Sequence, residues 1–319
     1  MQVTRLRRLR RNANLRDWIS QTQLSPKDII LPYFVVEGRN VKKEIKSMLG
    51  VYHFSIDNLL RDISKIKGLR SIILFGIPNA KDEIGGQAYR DDGIVQKAIR
   101  AIKREFRKLI VITDVCLCGY TTHGHCGIAT GNKILNDETI KVLAKAALSH
   151  ARAGADLVAP SAMMDGQVRA IREMLDKNGF GDTGILAYSA KYASSFYGPF
   201  REALDSAPQF GDRKSYQMDY RNSNEALREI KQDIDEGADI VMVKPALVYL
   251  DIIYRTKQKF DVPIAAYNVS GEYSMIKKLA GGDKIKEKDL VFEILTSIKR
   301  AGADLIISYF GKEVLRWLV

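Results

Sequence analysis

Eight short apolar runs recur along the chain with charged, helix-length stretches between them, and this alternation restricts the fold more than any other feature. They are IILPYFVV from Ile29, SIILFGI from Ser71, LIVITDV from Leu109, DLVAPS from Asp156, GILAYSA from Gly184, DIVMVKP from Asp239, VPIAAYNVS from Val262 and DLIISYF from Asp304. Each is nearly continuous in Val, Ile, Leu and Ala, as expected of parallel strands covered on both faces. Three runs are introduced by one tetrapeptide pattern: AGAD at Ala153, EGAD at Glu236 and AGAD at Ala301. Glycine just past a helix end permits a left-handed turn, so the pattern predicts helix stop, tight loop and strand start. Strands alternating with helices through this joint predict an α/β chain of the (β/α)8 TIM-barrel type, ahead of an open doubly wound sheet.

The 319 residues suffice for one such unit, since these barrels run to about 250 residues or more. No apolar run approaches the roughly 18 residues that cross a bilayer. No GxGxxG follows the first run and no GxxxxGK[ST] occurs, so neither phosphate-cradling loop supports nucleotide binding. The start, MQVTRLRRLRRNANLRDW, is Arg-rich without an apolar centre. This argues against a secretory signal and leaves a transit peptide or a basic arm.

The formal charge of +12 raises nucleic-acid binding as a possibility. Outside Arg5, Arg7, Arg8, Arg10 and Arg11, however, the basic residues mostly share helical segments with acids, as in KREFRKL and NEALREIKQDIDEG. Those segments read as solvated faces, and a basic protein also suits small anionic substrates. The expectation is a cytoplasmic protein with neither nucleic-acid nor membrane partners.

In a barrel of this kind, chemistry sits where strands end and the following loops begin. The third run ends in Asp114 and leads into DVCLCGYTTHGHCG, which holds all three cysteines of the chain and two of its four histidines. An odd number of clustered thiols cannot form a closed disulfide framework, so reduced cysteines serving a metal or catalysis are expected. Cys116, Cys118 and Cys126 supply a soft donor set for Zn2+. Three protein ligands with an open position describe a catalytic zinc, whereas His123 or His125 as a fourth ligand describes a closed structural one.

Lys191 and Lys244 each end an apolar run, on consecutive predicted strands. A lysine desolvated beside another cation loses proton affinity and becomes a nucleophile able to form a Schiff base with a carbonyl. The segment between them, YASSFYGPFREALDSAPQFGDRKSYQMDYR, is longer than a barrel loop requires and reads as a lid. Within it, Arg201 and Arg213 suit bidentate binding of a carboxylate and Gln217 can add a hydrogen bond. Surface ion pairing is the competing account of these arginines.

These segments, together with RLRRLRRN, PSAMMDGQV, MVKPALVYLDI, VSGEY and IKRAGADLIISYF, resemble the porphobilinogen synthase (5-aminolevulinate dehydratase) family over essentially the whole chain. The resemblance implies residues 1–25 as an arm that wraps a neighbouring subunit, usually in a homo-octamer, and residues 26–319 as the catalytic barrel. It implies condensation of two 5-aminolevulinate molecules to porphobilinogen with loss of two waters, in tetrapyrrole (haem) biosynthesis. Lys244 is similar to the lysine that forms a Schiff base with the substrate becoming the propionate side, and Lys191 to the lysine for the acetate-side substrate.

Ser270 and Tyr309 match the residues holding the first carboxylate; Arg201, Arg213 and Gln217 match those holding the second. Ser161, Tyr197, Phe200 and Tyr267 complete the implied substrate-binding set, and Asp114 stands near enough for proton handling. The resemblance assigns Cys116, Cys118 and Cys126 to a catalytic Zn2+ whose open position takes substrate or water, leaving His123 and His125 as neighbours. Glu229 matches a glutamate that helps hold a hydrated, allosteric Mg2+ at a subunit interface. Ala162 and Gln167 stand where other members carry Asp and Arg, a variation within the family pattern. Two other readings compete: a Schiff-base aldolase on the same barrel, needing one lysine and no zinc, and a basic zinc-knuckle nucleic-acid binder.

Overall fold

The computed structural model describes residues 4–319. Residues 1–3 of the expected arm lie outside the described residues. All eight apolar runs are strands: β1 (Ile29–Val36), β2 (Ser71–Ile77), β3 (Ile110–Val115), β4 (Leu157–Pro160), β5 (Gly184–Lys191), β6 (Ile240–Lys244), β7 (Ile264–Asn268) and β8 (Leu305–Ser308). Every neighbouring pair is parallel, and β8 returns to β1 through Ile29 opposite Ile306 and Ile30 opposite Ile307, closing the barrel. Helices follow the strands and cover the outside, which explains why the runs carry no polar alternation.

The repeated tetrapeptide does more than stop a helix. Its glycines, Gly154, Gly237 and Gly302, all have positive φ, at +105°, +103° and +125°. The aspartate two residues on then holds the preceding strand: Asp156 accepts the amide of Val111 at 2.7 Å, Asp239 that of Ile185 at 2.7 Å, and Asp304 that of Ile264 at 2.9 Å. Each aspartate's own amide also donates to the carbonyl of that same residue. A two-point clamp therefore sets the start of β4 against β3, β6 against β5 and β8 against β7.

Two small pieces of sheet were not expected from the sequence. Lys42–Glu44 pairs antiparallel with Tyr52–Phe54, which extends the top of β1, and Ala129–Thr130 pairs with Lys133–Ile134 beyond the cysteine segment. At two or three residues, neither is long enough to show a period. Before the barrel, residues 6–10 and 13–18 form short helices without buried residues, leaving Leu6, Leu9, Trp18 and Ile19 exposed. Among the described residues, no helix is long and apolar enough to cross a membrane.

Candidate active site

Asp114, Ser161, Lys191, Lys244, Asn268 and Ser308 all stand at the C-terminal ends of barrel strands, so the closed sheet gathers them on one rim. Lys191 and Lys244 are the last residues of adjacent strands and are paired directly in the ladder. A bulge between Val241 and Val243 shifts the β5–β6 register just below them. Both side chains are buried. Lys191 donates to the carbonyl of Ser161. The ammonium of Lys244 sits among aromatic rings, 4.2 Å from the centroid of Tyr267, 4.8 Å from Phe200, 5.0 Å from Tyr188 and 5.3 Å from Tyr197. Burial, reinforced by the charge of Lys191, lowers its pKa to about 7. Asp114, partly buried beneath the pair, has its carboxyl pushed up by burial, against the opposing pull of Lys191.

The cysteine segment folds back on itself. The amides of Tyr120 and Thr121 both donate to the carbonyl of Leu117, and the Thr121 hydroxyl donates to that of His125 at 2.9 Å. This turn returns Cys126 to Cys116 and Cys118, whose sulfurs are 3.4 Å apart, and all three Sγ atoms lie within 4.8 Å of one another. Hydrogen bonds from the Cys116 and Cys118 thiols, with help from Arg213 and Lys191, favour the thiolate at Cys126, while Cys118 is raised to about 11. Buried thiols at this spacing, one already inclined to ionise, fit a thiophilic metal ion.

The histidines point elsewhere. His125 stacks on Phe210 at 4.1 Å between centroids; its Nε2 donates to the Phe210 carbonyl at 2.9 Å and its Nδ1 meets the Tyr216 hydroxyl at 3.0 Å. Both ring nitrogens are thus engaged by the lid. His123 lies 3.3 Å from the carbonyl of Glu83 and is likewise outside the thiol cluster.

The lid brings the carboxylate-binding candidates to the mouth. Residues 195–203 form short helices that lay Phe200 over Lys244, and the remainder runs to Met218, whose backbone joins the end of β5. Arg201, Arg213 and Gln217 line a shared cavity of ≈ 640 Å³. Among the described residues, each carries a buried polar atom without a partner: Nε of Arg201, Nε of Arg213, and both side-chain polar atoms of Gln217. Such atoms are costly unless a ligand or water meets them, so the trio is prepared for an anion. Arg213 is further fixed by donating to the carbonyls of Gly124 at 2.8 Å and Ser206 at 2.6 Å, which ties the lid to the cysteine loop.

On the opposite side, Tyr267 and Tyr309 share a hydroxyl–hydroxyl contact of 2.9 Å, and Tyr309 stacks on Phe34. Ser270 opens the helix Ser270–Ala280; its hydroxyl accepts the Phe200 amide at 3.0 Å and donates to the Phe196 carbonyl at 3.3 Å. Tyr197 donates to the Lys244 carbonyl at 3.1 Å. Glu229 is not part of this rim. It lies on the helix Asn224–Asp235 and lines a cleft of ≈ 590 Å³ with Asp165, Glu225 and Glu236, where burial and those carboxylates raise its pKa.

Two residues of this site went unread in the sequence, and a third was read for another role. Tyr188 lies fully buried under both lysines, but within GILAYSA it looks like any strand residue. Glu272, in VSGEY, accepts the amides of Leu247 at 2.8 Å and Val269 at 3.0 Å and so fixes the loop after Lys244. His125 was singled out, but its role as a clasp depends on Phe210 and Tyr216, some ninety residues away.

A parallel barrel with two buried amines in register at its C-terminal rim, beside a metal-competent thiol triad, has the architecture of a barrel enzyme. A model of the family described as delta-aminolevulinic acid dehydratase matches residues 3–317. The delta-aminolevulinic acid dehydratase of Methanothermus sociabilis is 60% identical over 314 residues, covering 98% of both chains. That of Bacillus subtilis is 54% identical over 316 residues, again covering 98% of each. A Toxoplasma gondii delta-aminolevulinic acid dehydratase (porphobilinogen synthase), solved with the reaction product porphobilinogen, superposes with a TM-score of 0.95 at 44% identity, over 98% of this chain and 91% of that one. The chain belongs to the delta-aminolevulinic acid dehydratase family.

Proposed function

We propose that Lys244 and Lys191 carry the activity of this family, the condensation of two 5-aminolevulinate molecules to porphobilinogen. The observation that carries the assignment is the register pairing of the two buried lysines in front of an arginine pair with unsatisfied donors. Each amine attacks one substrate ketone and forms an imine with loss of one water, which accounts for both waters of the reaction. The carbon–carbon bond and the carbon–nitrogen bond then displace the two lysines in turn, and loss of protons from the ring completes the pyrrole. Holding both substrates covalently on neighbouring strands removes most of the entropy of bringing them together.

Arg201, Arg213 and Gln217 are the carboxylate site on the Lys191 side, while Ser270 and Tyr309 serve the Lys244 side. Tyr197, Phe200 and Tyr267 exclude water around Lys244, Ser161 positions Lys191 through its carbonyl, and Asp114 is placed to exchange protons with either substrate. Cys116, Cys118 and Cys126 would hold Zn2+, which when bound supplies Lewis acidity beside the amines. The soft, buried donor set supports zinc over magnesium at this position.

The acidic cleft at Glu229 suits a hydrated Mg2+ acting at a distance from the rim. The exposed Leu6, Leu9, Trp18 and Ile19 support residues 1–25 as an arm that docks on a second copy in a homo-octamer. Cysteines free of disulfides fit the cytoplasm. The test is direct: the purified chain with 5-aminolevulinate should yield porphobilinogen, lose that activity to a thiophilic chelator and recover it with Zn2+. Product formation that no chelator affects removes zinc from the reaction, and borohydride trapping at neither lysine overturns the assignment.

A further inference from the structure

Tyr188 is fully buried on β5, three residues before Lys191. Its ring centroid lies 5.0 Å from the Lys244 ammonium and 5.7 Å from that of Lys191, and among the described residues it is the one ring that faces both amines. Its hydroxyl has no hydrogen-bond partner among the described residues. It faces the Asp114 carboxyl, which acts on it by charge and by a weak hydrogen-bonding contact, but no group meets it in full hydrogen-bond geometry. The other tyrosines of the site are all satisfied: Tyr197 on the Lys244 carbonyl, and Tyr267 and Tyr309 on each other.

An unpaired hydroxyl in a buried site is destabilising, and phenylalanine would fill the same space without that cost. A tyrosine kept in such a place needs another partner, and the group brought there is the substrate ketone. Burial, and then the Asp114 charge, hold the phenol well above its ordinary pKa, so it keeps its proton and has an O–H to donate at neutral pH.

We propose that Tyr188 is a catalytic residue that donates a hydrogen bond to the ketone oxygen of the substrate bound at Lys244. This rests on Lys244 being the Schiff-base lysine. As the Lys244 nitrogen bonds to the carbonyl carbon, the π pair of the carbonyl moves onto oxygen, where the Tyr188 hydroxyl stabilises the developing negative charge. A proton on the attacking nitrogen then passes to that oxygen to give the neutral carbinolamine, and Tyr188 ends the step with its own proton. Removal of one such preorganised donor costs about 10²-fold or more in rate.

The experiment uses Tyr188→Phe in the full-length enzyme, with three readouts: single-turnover borohydride trapping at Lys244, steady-state kinetics and thermal unfolding. The trapping rate and kcat should fall about a hundredfold with KM changed less than about threefold, while the unfolding midpoint stays level or rises. A trapping rate within threefold of wild type overturns the proposal. So does a fall in the midpoint with kcat retained, which marks a structural hydroxyl. Lys244→Ala and wild type run alongside: failure of wild type to trap at Lys244 removes the Schiff-base reading itself, a result distinct from equal trapping in wild type and Tyr188→Phe.

Discussion

Lys191 and Lys244 are direct partners across β5 and β6, so two amines share one buried rim, with Asp114 and the cysteine cluster as the groups that offset their charge. Repulsion at that spacing acts with burial on Lys244, the more enclosed of the two by aromatic rings. Its amine is therefore available near neutral pH, where an ordinary lysine is almost wholly protonated.

This yields a pH prediction with a definite sign. The free amine is the nucleophile, so the rate of imine trapping at Lys244 should rise with pH through about 7 and level off above it. A limb centred instead near 10, read by single-turnover trapping, would remove the depressed pKa from the mechanism.

The same shift affects stability. Lys244 is held at about 7 in the fold against 10.5 ordinarily. Between these values the unfolded chain binds a proton that the folded chain does not, so stability falls as pH drops through this window, and the loss is complete below it. Lys244→Met should abolish porphobilinogen formation yet raise the unfolding midpoint at pH 7 by a few degrees, measured by calorimetry. Above pH 11 the midpoints of mutant and wild type should converge.

Cys126→Ala should reduce bound zinc from about one per chain to near zero and lower activity by at least about 10²-fold. Metal analysis after gel filtration, with activity measured on the same fractions, checks both. Full metal retention in this variant would place the ion elsewhere.

Gln217→Leu removes two unsatisfied buried atoms while keeping the side chain's shape. It should raise KM for 5-aminolevulinate about tenfold through the lost hydrogen bond to a charged group, without lowering the unfolding midpoint. A lowered midpoint with unchanged KM would mean that Gln217 serves packing.

Gly271, between Ser270 and Glu272, has no room for a side chain: a Cβ there would stand 2.5 Å from the Phe196 carbonyl oxygen and 2.7 Å from its Cα. Gly271→Ala should push the 195–197 turn away from the helix, displacing Tyr197 and Phe200 from Lys244. The expected result is a loss of kcat of at least tenfold with faster proteolysis of the lid, followed by limited digestion.

The strand assignments were legible because parallel strands covered on both faces must be apolar throughout, and all eight runs from Ile29 to Asp304 became barrel strands. The glycines of the AGAD and EGAD joints were legible for the same kind of reason, since a positive φ at a helix end selects glycine. Their aspartates were not. Asp156, Asp239 and Asp304 act on strands 40 to 54 residues away, and a local pattern carries no sign of that distance.

The site divides along the same line. Chemical type alone marked Cys116, Cys118 and Cys126 as candidate metal ligands and the two strand-end lysines as candidate nucleophiles, because unusual donors at unusual positions have few other uses. What the sequence by itself determined was the barrel and the inventory of reactive groups on its rim. Only the tertiary structure decided that Lys191 and Lys244 stand in register, that His125 turns away from the thiols to clasp Phe210 and Tyr216, and that Tyr188 faces both amines. Those relationships depend on how a bulged strand closes against its neighbours and how a lid folds back. Both are set by contacts between residues far apart in the chain, which no local period records.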